Sequence, residues 1–341
     1  MPIRRQSNIE LLRCFAMLCI IVYHIHIFLL SQIHSDAIYK AIQIPLHIGA
    51  PLFVLISGYF GIHFSIKGLV RLCSKGYIYY VPLTVIPIII SNGSLKELIK
   101  GTFIFGYDSY WFLNTYLYLF LFSPIINRYL KDITKGKRIF LFIILIFMSI
   151  YIGNVCQGDP SLVKGKNLTN FILLYVLGDT LHHYQHRIDT WRLPKLTIFF
   201  LLFNTLLVLC FIYIPSLSGK IWKYSYDYNS PIIMLNSAWA FCIFSRIKIQ
   251  SKFINNLGAG VFACYLIHIP NLVWDNCFMN PIRYLDSLLE SPTLIIAAVI
   301  LYAIITMFVM IGLDRALNPL WKLFVKFGTY LDVKFKTKQL L

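Results

Sequence analysis

The stretch Asn8–Leu30, NIELLRCFAMLCIIVYHIHIFLL, decides what kind of protein this is. It is apolar and long enough to cross a bilayer as a helix, which takes about 20 residues. Yet it carries Glu10, Arg13, His24 and His26. Ionisable groups inside a membrane are costly, and by default they suggest function.

The rest of the chain repeats the apolar pattern. Of its 341 residues 58% are hydrophobic and only 13% charged, and the mean hydropathy is +0.70. A soluble domain is closer to half apolar and a quarter charged. Apolar segments fall at roughly 9–30, 45–63, 77–92, 110–127, 139–155, 169–183, 196–214, 231–245, 256–274 and 294–313. A helix satisfies its own backbone in lipid. The expectation is an all-α, polytopic membrane protein of about ten spans. Residues 1–320 form one membrane-embedded domain, and 321–341 a basic tail along the inner membrane surface. Arg4 and Arg5 precede an apolar run too long for a signal peptide, so this run reads as a permanent first span.

A net charge of +17 would suggest nucleic acid on a soluble protein. Here the positions explain it. With the N-terminus inside, 23 of the 31 Lys and Arg fall on the cytoplasmic side. That is the positive-inside asymmetry. It puts both termini in the cytoplasm and makes membrane lipids, not nucleic acid, the partner of most of the charge. Some of these cations also suit an anionic cytoplasmic ligand.

The eight cysteines show no metal-type spacing. Cys156 and Cys277 fall in predicted outer loops, either as a disulfide or as two free thiols. His182 and His186 stand four apart, a spacing that seats a metal on one helix, but no carboxylate flanks them closely. No metal site is expected.

Arg13 and His24 are eleven residues apart. On a helix that puts them within about 20° of one face, separated by roughly 16 Å of rise. Glu10 lies near the same stripe. His26 points elsewhere and reads as interfacial. Arg13 reads either as a side chain snorkelling to headgroups or as a site cation. His24 reads either as a packed imidazole or as a general base. Lys67, Arg71 and Lys75 make a cationic stripe before the third span, as topology charge or as a phosphate clamp. Trp111 opens the fourth span with Asn114 one turn deeper, and Tyr265 and His268 sit in the outer half of the ninth.

These residues, taken in order, resemble acyltransferase family 3, membrane proteins of which many O-acetylate cell-surface glycans. The resemblance rests on Arg13 and His24 in the first span, PLFVLISGYF in the second, Arg71 at the third, WFL in the fourth and LGAGVFACYLIH in the ninth. It covers about residues 8–320. It implies transfer of an acyl group, usually acetyl, from cytoplasmic acetyl-CoA to a sugar hydroxyl of a surface polysaccharide or lipid-linked oligosaccharide, in a bacterial inner membrane. It implies His24, with Arg13 and Glu10, as the catalytic group. Arg71, Lys67 and Arg13 would hold the CoA phosphates. Trp111, Asn114, Tyr265 and His268 would face the acceptor. Relatives often carry a serine in the ninth span where this chain reads AGVFAC, Ala259 to Cys264. Many carry a further hydrolase-like domain for which this chain leaves no room.

No acid for orienting His24 stands out; Asp36 and Asp108 are the nearest in predicted outer segments. The competing reading is a transporter or flippase of a lipid-linked glycan, although such proteins often show inverted repeats and none is visible here.

Overall fold

A computed structural model describes residues 5–105 and 110–335, with the backbone alone at 222–225. Among the described residues the elements are helices, with no strand. Each of the ten apolar segments lies on a helix. In chain order these are α1 (Ser7–Ile25), α2 (Gly49–Phe60), α3 (Ile66–Ile90), α4 (Trp111–Lys131), α5 (Lys135–Ile146), α6 (Leu168–His183), α7 (Leu193–Tyr213), α8 (Pro231–Ser245), α9 (Lys252–His268) and α10 (Pro292–Ala316). An eleventh, α11 (Asn318–Lys334), follows.

Among the described residues six helical stretches are long and apolar enough to cross a membrane, or seven if a bent pair counts as one. α6 and α8 are shorter, at 16 and 15 residues. Length and composition therefore support six or seven spans of the ten expected.

α1 is the central post. With its continuation to Ile33, its most apolar window is 61% buried, against 11% for α7 at the periphery. It packs on α2, α8, α9 and α10. A helix buried on most sides must be apolar on most sides, which is why its few polar residues stand out in the sequence. Beyond Ile25 the helix widens into a π turn over His26–Leu30. Such bulges are often found at functional sites. His26 is fully buried there, with Nδ1 2.9 Å from the Val22 carbonyl, so it is not the interfacial residue expected.

Two close helix approaches fix the frame. α2 lies against α6 at Gly58 and Gly178, where an added Cβ would overlap the carbonyls of Tyr175 and Leu55. Small residues let helices meet in a membrane. Where α1 crosses α9, Gly258 lies against Glu10 in the same way.

α9 was expected to run on to residue 274. It stops at His268, and the chain turns through 97° before Asn271–Leu288. Pro270 has no N–H to continue the ladder, and its ring clashes with the preceding turn. The bend leaves His268 at a helix end and brings Trp274 back over the bundle.

α11 lies along α3. The carboxylate of Asp332 accepts hydrogen bonds from the backbone N–H of Ile66 and Lys67 at 2.7 and 3.0 Å. It satisfies two of the donors left open at the start of a helix. Residues 336–341 lie outside the described residues. Asp314 at the end of α10 pairs with Lys75 at 2.9 Å and accepts from Tyr79 at 2.8 Å. These contacts tie α10 and α11 to α3.

Candidate active site

Two cavities lie at opposite ends of α1. The first, about 510 Å³, is lined by His24, Tyr23, His47, Trp111, Lys164, Lys166, Asp227, Tyr228, Tyr265, His268 and Trp274, among others. The second, about 330 Å³, is lined by Arg5, Arg13, Ser57, Arg71, Lys75 and Tyr116, among others. Phe53, Phe112 and Phe262 belong to the walls of both. An aromatic septum therefore separates an imidazole chamber from a cationic one. Since Arg13 and His24 share a face of α1, one helix feeds both chambers.

In the imidazole chamber, His24 Nδ1 lies 2.9 Å from His268 Nε2. His268 Nδ1 lies 2.7 Å from the Cys264 carbonyl oxygen. A carbonyl only accepts, so Nδ1 of His268 carries the proton. In a neutral imidazole the other nitrogen is then an acceptor. His268 Nε2 accepts from His24 Nδ1–H, and the lone pair of His24 is left on Nε2. The chain of bonds fixes the tautomer that a base requires.

This answers the search for an orienting group. It is a second imidazole, not an acid. Asp36 sits at the N-cap of the short helix Ala37–Ala41, and Asp108 lies outside the described residues. Phe28 and Trp274 add ring contacts to His24 at 5.4 and 6.4 Å. Tyr265 is fully walled in. Its oxygen faces the N–H groups of Phe112 and Leu113 in the first turn of α4. Its own O–H has no acceptor among the described residues.

In the cationic chamber, Glu10 pairs with Arg13 at 3.0 Å and with Arg5 at 3.4 Å. Lys75 is paired with Asp314. Arg71 has no acidic partner among the described residues. Four cations thus face two carboxylates, with Arg71 left to attract an anion.

The structure brings together most of the expected residues. Arg13 and Arg71 line one chamber, and His24, Trp111, Tyr265 and His268 the other. Three stand apart. Glu10 acts through Arg5 and Arg13 and lines neither cavity. Lys67 is exposed, and its backbone N–H is bound to Asp332. Asn114 is buried in α4 and also lines neither cavity. The sequence reading missed His47, which lies inside the expected second span, and Lys164, Lys166 and Asp227, which come from segments between the long helices where no periodicity marks a face. His182 and His186 are not on one helix: α6 ends at His183, and His186 belongs to the short helix Gln185–Ile188. His182 packs edge-on to Tyr59 at 4.9 Å. Cys156 and Cys277 are free thiols.

Residues 6–315 match the acyltransferase domain model that defines family 3. The chain belongs to acyltransferase family 3. No curated protein and no solved structure matches it significantly. The family makes acyl transfer at a membrane the activity to fit to these two chambers, and the match covers every residue named in their walls except Arg5.

Proposed function

We propose that this protein is a membrane O-acyltransferase that moves an acyl group, acetyl first among them, from cytoplasmic acetyl-CoA to a sugar hydroxyl of a surface polysaccharide or lipid-linked oligosaccharide. The observation that carries the reading is the septum: a cationic chamber and an imidazole chamber share Phe53, Phe112 and Phe262. Acyl-CoA has a phosphate-rich end and a thin arm with the thioester at its tip, which suits two chambers joined at a narrow wall.

Arg71, with Arg13, Arg5 and Lys75 around it, holds the phosphates of the donor. The arm reaches across the septum, a distance on the order of the roughly 16 Å rise from Arg13 to His24. The acceptor enters the imidazole chamber from the other side. His24 Nε2 takes the proton of the sugar hydroxyl as its oxygen bonds to the thioester carbon. The carbonyl oxygen gains charge, and the free O–H of Tyr265 donates to it. As the C–S bond breaks, the imidazolium returns the proton to the leaving thiolate. The products are an O-acyl sugar and free CoA thiol.

In this reading the cationic chamber faces the cytoplasm, as the positive-inside asymmetry suggests, and both termini lie on that side. Ten helices would then cross or enter the bilayer, with α6 and α8 as short spans. A bacterial inner membrane fits the donor, which is cytoplasmic, and the acceptor, which is outward.

The test is donor consumption. Wild-type protein in nanodiscs is expected to release free thiol slowly from acetyl-CoA without acceptor, as water replaces the sugar hydroxyl. No binding and no release would sink the transferase reading and leave the flippase to be tested.

A further inference from the structure

The imidazole chamber holds more than the His24–His268 pair. His47 is only 4% exposed and sits between Tyr23 and Tyr228, at ring distances of 4.6 and 4.2 Å. Neither of its ring nitrogens has a hydrogen-bond partner among the described residues. Buried polar groups are nearly always paired, and each exception needs a reason. His47 lines the cavity, so a ligand there can supply its partner.

A second observation comes from the groups next to His47. Trp111 and Tyr228 meet at 4.8 Å, and the Lys166 ammonium lies over the Trp111 ring at 5.3 Å. Lys166 is also within electrostatic reach of both His24 and His47. Lys164 joins it in the wall, and both lysines are exposed, where the cavity opens. Lys164 has φ 65° and ψ −7°, a left-handed conformation that a lysine seldom adopts.

The neighbouring contacts enforce that conformation. The Lys164 carbonyl accepts from Tyr228 N–H at 3.1 Å. Asn170 donates to the carbonyls of Gly165 and Tyr228, and Asn229 to those of Leu162 and Ser149. Both asparagines are fully buried. A strained residue held by buried contacts is a mark of a functional segment. Here the contacts keep two lysines at the mouth of an aromatic cavity.

We propose that this mouth is an acceptor subsite for an anionic glycosyl unit. The sugar lies beside the Trp111 and Tyr228 rings and hydrogen-bonds to His47, while its phosphate or carboxylate is held by Lys164 and Lys166. The anion binds the ammonium groups as point charges with three donors each. That this sugar is the acyl acceptor rests on the transferase reading; that the site binds it does not.

The test uses the full chain in phosphatidylcholine nanodiscs and equilibrium dialysis with labelled glucose, glucuronic acid, glucose 1-phosphate and inorganic phosphate. At low salt, at least one anionic sugar is expected to bind about tenfold tighter than glucose, the worth of one charge-assisted hydrogen bond. The preference should fade at about 0.5 M salt. A gain for glucose 1-phosphate alone assigns a phosphate, as in a lipid-linked sugar, and a gain for glucuronic acid alone assigns a sugar acid. The Lys164→Gln/Lys166→Gln variant should bind all three sugars alike, and Lys164→Arg/Lys166→Arg should retain the preference. His47→Phe should weaken every sugar. Equal binding of the three sugars by wild type overturns the proposal, as does a preference that survives the double glutamine change. Inorganic phosphate binding as tightly as glucose 1-phosphate would overturn the sugar half. Acetyl-CoA consumption by the same wild-type sample separates the two readings. A preference without consumption retires the transferase and keeps the subsite, and consumption without a preference does the reverse.

Discussion

His24 Nδ1 stands 2.9 Å from His268 Nε2, and the Cys264 carbonyl behind His268 settles which way the proton points. Two imidazoles from α1 and the end of α9 therefore act as one unit, with His268 as the positioning residue. His268→Phe should keep the ring packing and lose the acceptor. Turnover is expected to fall by about 10² or more, within the range for losing a general base, with acetyl-CoA binding retained. The His24→Ala/His268→Phe double variant should be no slower than His24→Ala alone, since members of one catalytic unit are non-additive. Steady-state kinetics with a parallel binding assay checks this, and full additivity would separate the two residues.

Tyr265 offers a second kinetic signature. Its side chain lines the chamber, and its O–H has no acceptor among the described residues. Tyr265→Phe removes one oxygen and leaves the ring. The expected loss is in kcat, by roughly 10² on the scale of an oxyanion donor, with KM for the donor nearly unchanged. A rise in KM at constant kcat would mean that Tyr265 binds substrate instead.

In the proposed mechanism the septum would set the length of the acyl group that fits beside His24. Phe53, Phe112 and Phe262 bound both chambers. Phe53→Ala should raise the ratio of butyryl-CoA to acetyl-CoA turnover, by about tenfold or more, since each of the two added methylenes in an apolar pocket is worth about 1–3 kcal/mol. Unchanged selectivity would place the limit elsewhere.

Stability should be most sensitive where helices touch through glycine. Gly58 has no room for a Cβ because the Tyr175 carbonyl occupies it. Gly58→Ala is expected to cost about 1–3 kcal/mol, the scale of overpacking, and to lower the melting temperature in detergent. Gly136→Ala is the control, because nothing lies within 4 Å of that position.

Much of this was legible from residue order. Helix positions followed from apolar length, Arg13, His24 and His268 stood out because ionisable groups in an apolar run are rare, and Arg71 stood out as part of a cationic stripe ahead of one. Three things were not legible. The break after His268 depends on how Pro270 acts in context, and a proline alone does not announce a right-angle turn. Lys67 and Lys75 belong to one cationic stripe recurring every four residues, but only the packed helices show that Lys75, paired with Asp314, lines the cavity and Lys67 does not. His47 comes from a two-residue break between helices, and Lys164–Lys166 from an irregular segment held by Asn170 and Asn229, whose partners include residues far away in the chain. Long-range contacts of that kind leave no local period to read.

The central claim is that one donor molecule is held by its phosphates at Arg71 while its thioester reacts at His24. It is tested most directly by measuring acetyl-CoA binding and thiol release together, on wild type, Arg71→Ala and His24→Ala in nanodiscs. The expected result is a split. Wild type binds and turns over, Arg71→Ala loses about tenfold or more in binding, and His24→Ala binds normally but releases no thiol. If His24→Ala turns over like wild type, or Arg71→Ala binds like wild type, the two-chamber account is contradicted.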